Sequence, residues 1–315
     1  MELIKKGSHI DFIGKWPYAM LFSLAMTIAS IWVWVDQKEA KYGVDFRGGH
    51  DIVVRIGGEA NSETIRAALE EGGVGETIVQ SFEVGSQQYS IRLGGEKAEG
   101  AAEVDNAKLV RDKVQAVLVK RFGGDNVEIL KTDYVGPTVG KELRTKALLA
   151  TMLGLLGILI YLTFRFEFAF ALGAVVGVFH DVMISTGLYL FCGYQINMGT
   201  IAAALTIVGY SVHDTIVIFD RVREEIYKRK DFNLADLMNE SINATMSRTI
   251  ITTLLTLFSV VALLIFGGGS ISDLSFYLFV GIICGTYSTI YVASPVVLAW
   301  DHFRSRKYKS AEQPV

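Results

Sequence analysis

The sequence predicts a polytopic α-helical membrane protein with six transmembrane helices and one α+β domain inserted between the first and the second. Charge distribution, the length of the charge-poor runs and the patterning of one long polar segment carry this reading. The chain has 315 residues, is 51% hydrophobic, and carries 30 basic and 33 acidic side chains for a net charge of −3. Six stretches, 16–35, 147–164, 168–192, 198–219, 250–266 and 274–300, hold 129 residues but only two of those charges, Asp181 and Asp214. Each approaches the ~20 residues a helix needs to cross a ~30 Å hydrocarbon core. Segregation on that scale excludes a soluble enzyme.

The first span follows the basic residues Lys5, Lys6 and Lys15, as a secretory signal would. No small-residue cleavage pattern closes it, and Asp36-Gln37-Lys38-Glu39 follows at once, so it reads as an uncleaved anchor. Basic residues then set the orientation. With residues 1–15 as a cytoplasmic tail, the inside segments, including the 220–248 connection and the 301–315 tail, collect 14 Lys and Arg. The short outside loops 193–197 and 267–273 hold none. The 36–146 segment has 16 basic and 19 acidic residues, and long domains translocate largely regardless of charge.

That 111-residue segment is large enough to fold alone. Asp51–Gly57 is a β-branched strand candidate, and Ser62 an N-cap for a helix closed by Gly72-Gly73. Thr77–Val84 and Gln88–Leu93 read as strands around a Gly85-Ser86 turn. Asp105 is expected to cap a helix running through Phe122, with Leu109, Val110, Val114, Val117 and Leu118 at helical spacing. Val127–Tyr134 supplies a last strand. The order β-α-β-β-α-β is that of the ferredoxin-like split motif. With no Cys, one His (His50) and no phosphate loop, the domain reads as a binding or force-transmitting module. Cys192 and Cys284 lie in different spans and read as apolar filler, with no disulfide framework.

The two intramembrane carboxylates are functional candidates, because an ionisable group in a span is costly. An acid so placed can exchange protons near neutral pH. Asp181 follows His180 and Asp214 follows His213. Asp214, Val217 and Arg221 share a helix face, and past them Glu224–Lys228 and Glu225–Arg229 are favourable i,i+4 pairs. In the fifth span Thr245, Arg248, Thr252, Thr256 and Ser259 form one polar stripe, with Thr249 beside it. Such hydroxyls either line a hydrated path or bond their own i−4 carbonyls. Arg248 cannot shuttle protons, but it can pair with an ionised Asp214. Gly173/Gly177 and Gly281/Gly285 permit close helix approach; Pro295 is expected to kink the sixth span, and Pro17 sits harmlessly in the first turn of the first.

Five motifs recur in family order. Gly43-Val44-Asp45-Phe46-Arg47-Gly48-Gly49 resembles the G-V-D-F-x-G-G signature of the SecF family, and 135–143, with Gly136 and Pro137, its V-G-P-x-V-G-x-E-L. The run 209–224, holding Gly209, Tyr210, Ser211, Asp214, Asp220 and Arg221, is similar to its fourth-span motif. Arg248-Thr249 resembles the R-T that opens the fifth span, and 285–291 the sixth-span G-T-x-S-S-I-Y. His213 departs from the family's usual Asn, and Thr252-Thr253 from its T-S.

The resemblance implies a subunit of the bacterial Sec export machinery in the cytoplasmic (inner) membrane. It would act with SecD and use the proton-motive force to help the SecYEG channel move and release unfolded preproteins. Its partners would be proteins and the lipid bilayer, not nucleic acid, and its only cofactor the coupling proton. The family's proton-coupling Asp carries over to Asp214 and its Arg to Arg248; Asp181 ranks below them. Two other classes use intramembrane polar groups: an intramembrane aspartyl protease, whose G-x-G-D context is replaced here by Ser211-Val212-His213-Asp214, and a scaffold whose polar groups only hold partners. A metal site of His180, Asp181, His213 and Asp214 lacks ligand spacing such as H-E-x-x-H.

Overall fold

The computed structural model describes residues 9–58, 60–75, 77–81, 87–94 and 103–311. The first span, α1 (Trp16–Asp36), has Pro17 in its first turn, where a missing N–H costs nothing. Leu21, Phe22, Leu24, Ile28, Trp32 and Val35 on it are exposed, as side chains facing lipid would be. A helical turn, α2 (Val44–Arg47), leads into β1 (Gly49–Ile56), α3 (Ser62–Glu71), β2 (Thr77–Ser81), β3 (Gln88–Gly94), α4 (Glu103–Phe122) and β4 (Val127–Val135). The strands form one antiparallel sheet in the order β2-β3-β1-β4, the split arrangement expected from the pattern. Ile52, Ile56 and Ile91 on the sheet, with Ile65, Leu69 and Leu118 on the two helices, are fully buried and make the core of the domain.

Two caps in this domain differ from expectation. Asn61, not Ser62, caps α3: its Oδ1 accepts from Thr64 N at 2.8 Å, and Asn61 N donates to Thr64 Oγ1 at 3.0 Å. The next helix starts at Glu103, so Asp105 lies inside its first turn. The turn at Gly85-Ser86 falls outside the described residues.

The remaining spans are α5 (Pro137–Arg165), α6 (Phe168–Phe191), α7 (Met198–Lys228), α8 (Leu234–Phe266) and a composite of α9 (Gly269–Ser288), a π-turn at Thr289–Ala293 and α10 (Ser294–Ala311). The 220–248 connection is therefore almost wholly helical: α7 and α8 project past their apolar segments and meet at a short turn after Lys228. Glu224–Lys228 and Glu225–Arg229 pair there at 2.6 and 3.6 Å, as their spacing predicts. Near Pro295 the sixth span does not break. One extra residue enters the helix instead, and the N–H and Oγ of Ser294 both serve the Thr289 carbonyl.

Glycines set the closest helix crossings. A Cβ on Gly173 would lie 2.7 Å from the Ala293 carbonyl oxygen, and one on Gly281 would overlap Ile207. Gly187, which the G-x-x-x-G pattern misses, meets Ser30 of α1 in the same way.

Candidate functional site

Four consecutive side chains at the end of α9 each reach a different neighbouring helix. Thr286 meets Thr253 of α8 at 3.1 Å. The Tyr287 hydroxyl donates to the Ala19 carbonyl of α1 at 2.8 Å and accepts from Ser23 at 3.0 Å. Ser288 donates to Asp181 of α6 at 2.8 Å, and Thr289 meets Thr215 of α7 at 3.1 Å. A helix turns about 100° per residue, so a polar tetrad at consecutive positions faces all sides of the bundle. The π-turn begins at the last of them.

Asp181 is fully buried and fully partnered. Oδ2 accepts from Ser211 at 2.6 Å and from Ser288 at 2.8 Å, while Oδ1 lies 3.1 Å from Nδ1 of His180. Hydroxyls from two other spans thus converge on one carboxylate, which makes it a crosslink.

Asp214 is placed differently. It is 4% exposed, and its Oδ2 is buried without a hydrogen-bond partner among the described residues. Tyr210, one turn earlier on the same face, likewise has a buried hydroxyl without a partner. No ion pair joins Asp214 to Arg248 among the described residues; Arg248 and His213 are exposed side chains on the rim of α8 and α7. Ser185, Ser241 and Ser275 in the spans also have a buried hydroxyl without a partner among the described residues, but Asp214 is the one carboxylate in that set, and a group that costly to bury calls for a role.

The α8 stripe splits in two. Thr249 and Thr253 are buried, whereas Arg248 and Ser259 are exposed and Thr245, Thr252 and Thr256 lie between. Thr245, Thr252, Thr256 and Ser259 each donate to the carbonyl four residues back, at 2.9, 3.0, 2.9 and 3.4 Å. Their donors are occupied, and only hydroxyl lone pairs remain to line a path.

The glycine motifs join the domain to the spans. Gly43 N donates to the Ile196 carbonyl, and Ile196 N to that of Lys41, both at 2.8 Å. Asp45 Oδ2 accepts from Met198 N at 2.9 Å, placing a negative charge at the N-terminus of α7. Gly48 has φ +78°, and a Cβ there would lie 2.7 Å from Pro137 Cα, while Gly140 packs on Phe46 and Gly48. Gly49 opens β1 opposite Gly94 and Val135, and the Gly136 carbonyl accepts from Gly140 N at 2.9 Å. These two motifs, ninety residues apart in the chain, form one close contact.

The family model described as Protein export membrane protein SecD/SecF, C-terminal, matches residues 114–302. The protein translocase subunit SecF of Calditerrivibrio nitroreducens is 37% identical over 97% of this chain and 99% of its own length. That of Magnetococcus marinus is 39% identical over 98% and 97%. The chain belongs to the SecF family. A crystal structure of SecDF, a translocon-associated membrane protein from Thermus thermophilus, superposes with a TM-score of 0.82 at 35% identity over 94% of this chain. SecDF in a super-membrane-facing form gives 0.71 at 34% over 99%. This chain spans 39% and 41% of those longer chains.

The rest of the SecF fourth-span motif serves the helix end. Gly209 lies on the outer side of α7 with open space around its Cα. Asp220 pairs with Arg165 at 3.0 Å, and Arg221 with Glu224 and Glu225 at 2.8 and 3.0 Å. Arg221 therefore turns away from Asp214, whose face it shares by spacing.

Sequence reasoning missed one group of charges. Arg92, 9% exposed on β3, lies 3.3 Å from Asp273 at the start of the sixth span and 3.6 Å from Asp51 on β1. Asp273 looked like a loop residue because it borders an apolar run. An arginine inside the strand QYSIRLG was the available signal.

Proposed function

We propose that this chain works beside a SecD-type partner to couple proton movement to the export of unfolded preproteins through a SecYEG channel. It acts as a translocase accessory subunit, not as an enzyme, with protons as its only cofactor. The same reading places it in the bacterial inner membrane, with both termini in the cytoplasm and residues 36–146 on the opposite side.

The observation that carries this is the orphaned Oδ2 of Asp214, buried mid-span with the Arg248 guanidinium on the adjacent helix. Protonated, the carboxyl is neutral and tolerates its buried seat; ionised, it is drawn toward Arg248. Alternation between these states is a minimal proton-driven switch. His213, Arg248, Thr252 and Thr256 lie along the rim where a second six-helix half would close the path, with lone pairs of the two threonines accepting from water. Asp181 supports a structural role instead, since its oxygens already hold three partners.

The test is preprotein export in vesicles holding the chain with its SecD-type partner and SecYEG under an imposed proton gradient. Asp214→Asn should abolish the acceleration that the gradient confers. Wild-type rates in that variant would overturn proton coupling at this residue, and full coupling in Arg248→Ala would remove the guanidinium from the mechanism.

A further inference from the structure

A cleft of about 370 Å³ lies between the domain and the outer ends of the spans. One wall is Ala40, Tyr42, Gly43 and Val44 with Arg47 and Gly48, from the segment just after α1, together with Gln195 from the turn joining α6 to α7. The opposite wall comes from the domain: Arg66 on α3, Thr77 and Ile78 on β2, and Arg92 to Gly94 on β3.

Three guanidinium groups border this space. Arg92 is committed to Asp51 and Asp273. Arg47 and Arg66 are exposed and have no carboxylate partner among the described residues. Thr77 is 7% exposed, and its Oγ1 has no hydrogen-bond partner among the described residues although it lines the cleft. Two cations and a buried hydroxyl, each without a partner among the described residues, describe a site suited to an anion that accepts several hydrogen bonds. Phosphate oxygens suit this set, because even in a diester the two non-bridging oxygens share the charge and each can accept from several donors, so together they can take both guanidinium groups and the threonine proton.

The walls also say where the anion comes from. Residues 40–44 and 195 follow or join span ends, at the depth where phospholipid headgroups lie. We propose that this cleft binds the headgroup phosphate of an anionic phospholipid, held by Arg47, Arg66 and Thr77, and that the lipid fastens the domain to the membrane surface. Nothing in this rests on proton coupling at Asp214.

The test uses the full chain reconstituted in phosphatidylcholine vesicles with and without phosphatidylglycerol. Phenylglyoxal modifies accessible arginines, and peptide mapping reports Arg47 and Arg66 against the exposed Arg111 as internal control. With phosphatidylglycerol at ten times its Kd, modification of Arg47 and Arg66 should slow about tenfold relative to Arg111. Thr77→Val should weaken that protection at both arginines while the circular dichroism of the chain stays unchanged. Inorganic phosphate added to phosphatidylcholine vesicles, and a polyglutamate peptide, form two further arms. Equal protection by inorganic phosphate would overturn the lipid assignment in favour of a soluble anion. Protection by the peptide alone would assign the cleft to an acidic polypeptide, and absence of protection in every arm would refute the anion site.

Discussion

Ser211 donates its hydroxyl to Asp181 at 2.6 Å and stands one helical turn before Asp214 on the same helix. One turn of α7 therefore separates a carboxylate locked by three partners from one with an orphaned oxygen. The two intramembrane acids each follow a His in the sequence, yet the bundle gives them opposite surroundings.

Substitution should separate them by stability. Asp181→Asn replaces an acceptor with an amide donor beside two hydroxyls and should cost about 1–3 kcal/mol. Asp214→Asn loses no hydrogen bond at Oδ2 and should stay within about 1 kcal/mol of wild type. Thermal unfolding of the two variants in the same detergent checks this; equal destabilisation would contradict the distinction drawn between the sites.

Gly48 is held at φ +78° against Pro137. Gly48→Ala adds left-handed strain and a clash with backbone, together worth about 2–3 kcal/mol. Limited proteolysis between the domain and α5 should accelerate accordingly, whereas Gly58→Ala, at φ +88° with open space, carries the strain alone and should show the smaller effect.

Arg92 is the only cation within ion-pair distance of Asp273 among the described residues. Arg92→Leu would leave a largely buried carboxylate unpaired and should cost about 3 kcal/mol. Adding Asp273→Asn should recover part of that loss. A double-mutant cycle on thermal stability measures the coupling, and strictly additive costs would show that the pair contributes nothing.

His50 is 1% exposed, packs at a tilt of 33° against Tyr134 with ring centroids 4.6 Å apart, and has neither ring nitrogen hydrogen-bonded among the described residues. Burial holds its imidazole below the ordinary value. The unfolded chain then binds a proton at higher pH than the fold does, so this residue lowers stability as pH falls from about 6.5 toward the depressed folded value. On acidification from neutral pH the thermal midpoint of wild type should fall relative to that of His50→Leu, because only the wild type loses this contribution.

Much of this architecture was legible in the residue order. Charge-poor runs located all six spans because hydrocarbon admits only internally satisfied backbones, and an apolar run of about 20 residues fits a crossing helix. Alternation in 49–135 foretold the split β-α-β-β-α-β order, and Asp181 and Asp214 stood out as the charges in otherwise bare spans. Boundaries and caps were less legible. Asn61 and Ser62 are both good caps by type, and the choice between them depends on which oxygen reaches Thr64 N. The polar end of α7 was legible as helix from the i,i+4 pairs Glu224–Lys228 and Glu225–Arg229, whereas the polar start of α8, tied to α7 by Arg229–Glu240 at 2.7 Å, was not.

Composition and spacing alone established what crosses the membrane, where the folded domain lies, and that two acids sit inside the bundle. They also placed Asp214 above Asp181, but did not show the partners of either, because those are donors from distant parts of the chain. Ser211 and Ser288 reach Asp181 from residues 30 and 107 positions away, and none of the described residues reaches Asp214 Oδ2. The junction of the two glycine motifs, the Arg92–Asp273 pair and the arginine-lined cleft likewise exist only once the domain rests on the span ends. Each is a contact between segments far apart in the chain, and a hydrogen bond acting over about 3 Å leaves no periodic trace in sequence.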